Sequence, residues 1–325
     1  MLISLPRYRV CSFICRLLLA FGFASTCTGL VVSDEANQRT KLRIVGYLPE
    51  YRGNEIREDW FQQVTDLILF SAEPTADGTL NLDRIAALPL NRITQLAEET
   101  STRVILCVGG WGRSQHFASV SADFRKRSVF VQSALETCLK NKYSGIDLDW
   151  EHPQNAKEEA DYAKLLHELH VAFKPHALQL SLTMAAWQSI PIEAFASVDF
   201  VQVMAYDHDG RHSTLEGAIK DLDEIASKGV PKSSTILGIP LYGRSLTDRN
   251  VSLTYQQIME SNQLDSGDDE AGGMYFNGLS TILKKCEYAE DAGLAGVMFW
   301  EIAQDAPGDA SVLKQVRRLM ESIRK

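Results

Sequence analysis

Eight short apolar runs, alternating with amphipathic stretches, constrain this chain more than any other feature. They fall at 42–48, 67–71, 104–109, 145–150, 178–185, 200–206, 236–242 and 294–300. Each is rich in β-branched residues and nearly continuous in hydrophobicity, as strands buried on both faces of a parallel sheet are. Between them, Tyr162, Leu165, Leu166, Leu169 and Phe173 keep helical spacing, and so do Val312, Leu313, Val316, Leu319 and Ile323 behind a candidate cap, Asp309. Ser213 with Glu216 reads as a capping box opening a helix through Ile219, Leu222 and Ile225. Eight strand–helix units in about 285 residues predict an α/β fold, a single (β/α)8 TIM barrel over 42–325. A doubly wound open sheet is the runner-up. It would need a dinucleotide loop, and no G-x-G-x-x-G follows the first strand; Gly109–Gly110 is only a pair.

Arg7, Arg9 and Arg16 punctuate or precede a short apolar run ending in small residues. This reads as a signal peptide over 1–29, with cleavage after Ala24 or Gly29 both fitting, then a short segment over 30–41. The run is too short for a stable membrane span. A secreted or periplasmic location follows. A lipoprotein anchor at Cys27 is the weaker reading, because Ala24-Ser25-Thr26 matches such a site poorly. The formal charge of −9 becomes −12 without the leader, which carries three Arg and no acid. An acidic chain repels phosphate backbones, so nucleic acid is not an expected partner. Cys107, Cys138 and Cys286 remain, an odd and widely spaced set that reads as buried thiols with one optional bridge.

The run Ser144-Gly-Ile-Asp-Leu-Asp-Trp-Glu151 carries the chemistry. Alternate residues of a strand share a face, so Asp147, Asp149 and Glu151 point one way and Ile146, Leu148 and Trp150 the other. The apolar set suits packing against helices. The acids would line the barrel interior and rise toward its C-terminal mouth, where such barrels keep their sites. Stacked acids in a poorly solvated interior raise one another's pKa values and keep at least one carboxyl protonated, as a general acid requires. A cation site is the alternative and would need further oxygen ligands from other loops.

Gly145-Ile-Asp-Leu-Asp-Trp-Glu151 resembles the signature of glycoside hydrolase family 18, the chitinases and their relatives. Further segments resemble the family in order: Tyr47-Leu-Pro-Glu-Tyr51, Phe70, Val108-Gly-Gly-Trp111, Met204-Ala-Tyr-Asp207, Gly238-Ile-Pro-Leu-Tyr-Gly-Arg244 and Trp300. The resemblance implies a retaining, substrate-assisted glycosidase acting on chitin or N-acetylglucosamine-containing oligosaccharides. Glu151 would be the acid, Asp149 would hold the substrate's acetamido group, Asp147 would share a proton with Asp149, and Tyr206 would donate to the acetamido oxygen. It also implies a sugar site built from Trp300, Tyr47, Phe70, Gly110, Trp111, Met204, Asp207, Tyr242, Arg244 and Trp187. Three positions depart from the family: Ser144 stands where an Asp is frequent, Cys107 where Ser is usual, and His152 where an aromatic usually follows the Glu. The Glu itself is present, unlike in lectin-like members.

No cofactor and no metal are expected, since His208-x3-His212 on a loop is a weak ligand pattern. The connection from the seventh to the eighth strand looks too short for the small α+β domain many relatives insert there, which predicts a bacterial-type member with a shallow, open groove. The expected state is a monomer. Rival readings are an enzyme of the same mechanism acting on N-glycans or peptidoglycan-like chains, a chitin-binding lectin on the same barrel, and a cation-dependent hydrolase.

Overall fold

All eight apolar runs form parallel strands. They are β1 (Arg43–Pro49), β2 (Asp66–Pro74), β3 (Arg103–Gly109), β4 (Gly145–Asp149), β5 (Gln179–Met184), β6 (Phe200–Val203), β7 (Thr235–Pro240) and β8 (Gly296–Trp300). The computed structural model describes residues 42–323, so the leader expected at 1–29, its cleavage position, Cys27 and the 30–41 segment lie outside the described residues. Each strand pairs with the next, and β8 pairs back onto β1 with Ile44 beside Val297. The sheet is therefore closed, and the open-sheet alternative falls away.

Side-chain alternation divides the core in two. Tyr47, Ile68, Phe70, Ile105, Cys107 and Met298 fill the barrel interior. Ile146, Leu148 and Trp150 face outward into the layer between strands and helices, where the Trp150 ring stacks on Phe117 at 5.4 Å and meets Tyr162 edge-on at 5.1 Å. The helix Ala156–Phe173 buries Tyr162, Leu165, Leu166, Leu169 and Phe173, the stripe its spacing predicts. Cys107, Cys138 and Cys286 are free and buried. Among the described residues, no helix is long and apolar enough to cross a membrane.

Two helix starts differ from the sequence reading. Helix Leu215–Ser227 is capped by Thr214, whose Oγ1 accepts from the Gly217 N–H at 2.9 Å. Ser213 is buried instead and turns its hydroxyl toward the Ala205 carbonyl and Asn277. Helix Val312–Ser322 is capped by Ser311, and Asp305 reaches its first turn through the Val312 N–H at 2.8 Å. Asp309 pairs with Lys314 at the surface.

The connection after β7 holds local structure that the sequence reading did not anticipate, within the single domain. The segments Tyr242–Ser245, Ser252–Thr254, Glu270–Ala271 and Met274–Tyr275 make a four-stranded antiparallel sheet accompanied by helix Tyr255–Ser261. A small α+β extension is thus present despite the short connection. It needs no core of its own, because Tyr255, Ile258, Met274 and Phe276 join the main core.

At the N-terminal end of the barrel, the buried Asp66 carboxylate accepts from Arg43 at 2.5 and 3.1 Å, from Arg103 at 2.6 and 2.8 Å, and from Thr65. The two guanidinium groups come from adjacent strands and hold β1, β2 and β3 in register. Removing the carboxylate leaves the mostly buried Arg43 without its counter-charge, so Asp66→Ala is expected to lower stability by about 3–5 kcal/mol in urea denaturation.

Candidate active site

The acidic strand end is built as its alternation requires. Asp147 is fully buried and receives four side chains across the barrel: Tyr47 Oη at 2.8 Å, Ser181 Oγ at 2.6 Å, Thr183 Oγ1 at 3.0 and 3.1 Å, and Gln202 Nε2 at 2.9 Å. Its oxygens are thus occupied by donors from three other strands. Asp149, two residues nearer the mouth, is buried with its Oδ1 lacking any hydrogen-bond partner. Burial, then the charges of Glu151 and Asp147, push its carboxyl well above the usual range. Glu151 stands at the mouth. Burial raises it to about 7, against the opposing Trp111 N–H, with the Asp207 charge adding to the rise. A carboxyl poised there can carry a proton near neutrality and give it up, as a general acid must.

The backbone at the mouth explains the local sequence. Gly109 and Gly110 both adopt φ near +100°, where side chains are strained. A Cβ on Gly109 would meet the Asp149 carbonyl at 2.3 Å, and one on Gly110 the Phe70 ring at 2.3 Å. The Gly110 N–H donates to the Asp149 carbonyl at 2.6 Å. Ser114, which sequence reasoning missed, accepts from the Glu151 N–H at 3.1 Å and donates to the Gly110 carbonyl at 3.1 Å. It ties the turn after β3 to the end of β4.

These groups open into a cleft of about 600 Å³. Trp300, Tyr47 and Phe70 form its base, with Trp300 at 5.5 Å from Tyr47 and 4.8 Å edge-on to Phe70. Met204 and Tyr206 face it from the end of β6, and burial raises the Tyr206 hydroxyl well above its ordinary value, so it stays a donor. Trp111 and Trp187 stand at the mouth, 77% and 64% exposed, with the His152 ring between them. On the opposite wall Asp207 accepts from Arg244 at 2.5 and 2.6 Å and from Tyr242 Oη at 2.7 Å. Burial opposes this charge, but the Arg244 and Tyr242 contacts win and hold Asp207 below the usual range. Of the expected site residues, Asp147 lies beneath the cleft and Gly110 supports Phe70 from behind; the others line it.

Sequence reasoning missed Thr183, Ala185, Arg249 and Asn250 as lining residues. The latter two sit on the turn of the antiparallel extension, which was not foreseen. The histidines of the loop after β6 diverge. His208 Nε2 meets Asp221 at 2.8 Å, while His212 is buried and stacked on Tyr242 at 5.1 Å. Burial lowers His212 to about 4, leaving it neutral. The loop itself is pinned at the Ser213 carbonyl by Asn277 and Lys285.

Comparison with known proteins bears on this geometry. The family model described as Glycosyl hydrolases family 18 matches residues 43–305. Chitinase 1 of Aphanocladium album is 24% identical over 66% of this chain, which spans 65% of that relative's length. The crystal structure of the GH18 chitinase ChiB from the chitin utilization locus of Flavobacterium johnsoniae is 26% identical. It superposes with a TM-score of 0.78 over 87% of this chain and 95% of that one. A plant class V chitinase mutant from Cycas revoluta, solved in complex with (GlcNAc)3, is 22% identical with a TM-score of 0.76, covering 85% of this chain and 99% of the other.

The two buried aspartates should respond oppositely to substitution. Asp147→Ala strands four donors and is expected to destabilise strongly. Asp149→Asn removes a carboxyl whose ionisation burial opposes, and is expected to raise the melting temperature at neutral pH. Because the unfolded Asp149 ionises near pH 4 and the folded one far higher, the Asp149→Asn advantage should grow as pH rises from 4 and vanish below it. Thermal melts across pH read both effects.

Proposed function

The chain belongs to glycosyl hydrolases family 18, and on that premise we propose that it cleaves β-1,4-linked N-acetylglucosamine chains, as in chitin and its oligosaccharides, with retention of configuration. A glycosidase of the chitinase type follows from family membership. The substrate and the residue roles are the further step, and the buried acid series opening beneath an aromatic cleft carries them. Most glycosidases divide their chemistry between two carboxylates; this family is an exception that uses the substrate's own acetamido group, so that step comes from membership in the family.

On this reading Glu151 protonates the glycosidic oxygen, and the leaving sugar departs with that proton. The acetamido carbonyl oxygen attacks the anomeric carbon and closes a five-membered oxazolinium ring. Because this nucleophile is tethered to the reacting sugar, its proximity is built in. Asp149 faces the acetamido N–H, passes its proton to Asp147 beneath it, and as an anion stabilises the positive charge as it develops. The Tyr206 hydroxyl donates to the acetamido oxygen. Glu151, now an anion, takes a proton from water as it opens the ring. Trp300 offers a face for the sugar, and Trp111 and Trp187 extend aromatic surface beyond the mouth, suited to neutral sugars. The (GlcNAc)3 bound by the cycad relative supports the substrate class. Export through the leader at 1–29 belongs to the same reading.

Hydrolysis of N-acetylglucosamine oligomers tests it. Wild type should release products of retained anomeric configuration, seen by NMR immediately after cleavage. Glu151→Gln should lower kcat by about 10²–10⁴-fold while still binding the oligomer. Because Glu151 must carry its proton at the start, kcat/KM should decline as pH rises above about 7. A wild type that cleaves no N-acetylglucosamine linkage, or an inverted product, overturns the reading.

A further inference from the structure

His152 follows the proposed acid directly, and its surroundings give it a definite orientation. The ring is bracketed by Trp187 at 4.7 Å, edge-on, and by Trp111 at 6.4 Å. Its Nε2 lies 3.6 Å from Glu151 Oε2, with both side chains mostly buried. Its Nδ1 is buried without a hydrogen-bond partner. The neighbouring Gln188 accepts from the Ala185 N–H and donates to the Trp150 carbonyl; it stands beyond hydrogen-bond reach of Nδ1, though its proximity partly offsets the effect of burial on the ring. A proton on Nδ1 would bury an unpaired donor, whereas a proton on Nε2 points at Glu151. Burial keeps the imidazole below its ordinary value, so the neutral ring with Nε2–H is the form that meets the carboxyl.

No other side chain around Glu151 supplies such a donor, and the Trp111 backbone N–H, which also acts on its carboxyl, is common to every His152 variant. Asp149 and Asp147 lie beneath it on β4, and Cys107 lies on β3, all anions or acids. From the end of β6 come Asp207, committed to Arg244, and the Tyr206 hydroxyl, assigned above to the substrate. The separation of 3.6 Å is too long for a hydrogen bond in the empty site, and closing by about 0.7 Å makes one. Catalytic hydrogen bonds commonly tighten in this way once substrate is bound.

We propose that His152 is a positioning residue for Glu151, its Nε2–H donating to Oε2 in the half of the cycle in which Glu151 is an anion. The proposal rests on the hydrolase reading above and adds a specific demand to it. A donor that favours the anion assists the water-activating step and lowers the pH at which Glu151 loses its proton.

His152→Phe keeps an aromatic ring between the tryptophans and removes the donor; His152→Gln keeps a donor. His152→Phe should lower kcat about tenfold, the worth of one hydrogen bond, with KM little changed. It should also move the basic limb of the kcat profile, which reports the substrate-bound enzyme, upward by about one pH unit, and His152→Gln should restore most of both. Unchanged kcat and an unchanged limb in His152→Phe overturn the proposal, as does an effect confined to KM, which marks sugar stacking alone. A second readout needs no turnover. In substrate-free protein at neutral pH, 15N NMR of the His152 imidazole should show the tautomer with its proton on Nε2. The Nδ1–H tautomer overturns the proposal even where a His152 variant fails to fold. A wild type without hydrolase activity sinks the functional reading instead, and leaves this tautomer measurement standing as its own test.

Discussion

The Asp147 carboxylate draws hydrogen bonds from Tyr47 on β1, Ser181 and Thr183 on β5 and Gln202 on β6. A carboxylate at the centre of a barrel is tolerable only when donors surround it. Here the donors come from three other strands, so one side chain cross-braces the barrel through its interior. Everything above it inherits that arrangement. Asp149 and Glu151 follow on the same face at strand spacing, and Tyr47, fixed by its bond to Asp147, presents its ring to Trp300 at the base of the cleft. The polar brace and the aromatic base are therefore one construction.

The opposite wall depends on a different device. Asp207 adopts φ 64°, a left-handed conformation that Asp tolerates better than most residues, and this turns the chain just after Tyr206. Its carboxylate is then clasped by Arg244 and Tyr242 from the first strand of the antiparallel extension. The extension thus serves the site directly, because it delivers the partners that fix Asp207. With Arg249 and Asn250 on its turn, it also gives the cleft a side that a bare barrel would lack.

Much of this was legible in the sequence, for physical reasons that also explain the misses. Strands buried on both faces leave continuous apolar runs, and all eight stood out. Period-two alternation placed the three acids on one face without any structure. Cap positions slipped where neighbouring residues share the same chemistry: Ser213 and Thr214 can each cap, and burial of Ser213 beside Asn277 decided between them. The extension escaped notice because its strands are two to four residues long. Segments so short carry no period. Ser114, Arg249 and Asn250 act from turns, where only the fold brings distant residues together.

Asp149 lies buried with an unpartnered oxygen, and its consequence is best seen as a matter of timing. A carboxyl whose ionisation is opposed by burial adds little field of its own while the cleft is empty. On the proposed mechanism, giving its proton up to Asp147 becomes favourable only when a positive charge forms beside it. The protein thereby keeps its strongest electrostatic response latent, and the reacting molecule itself switches it on.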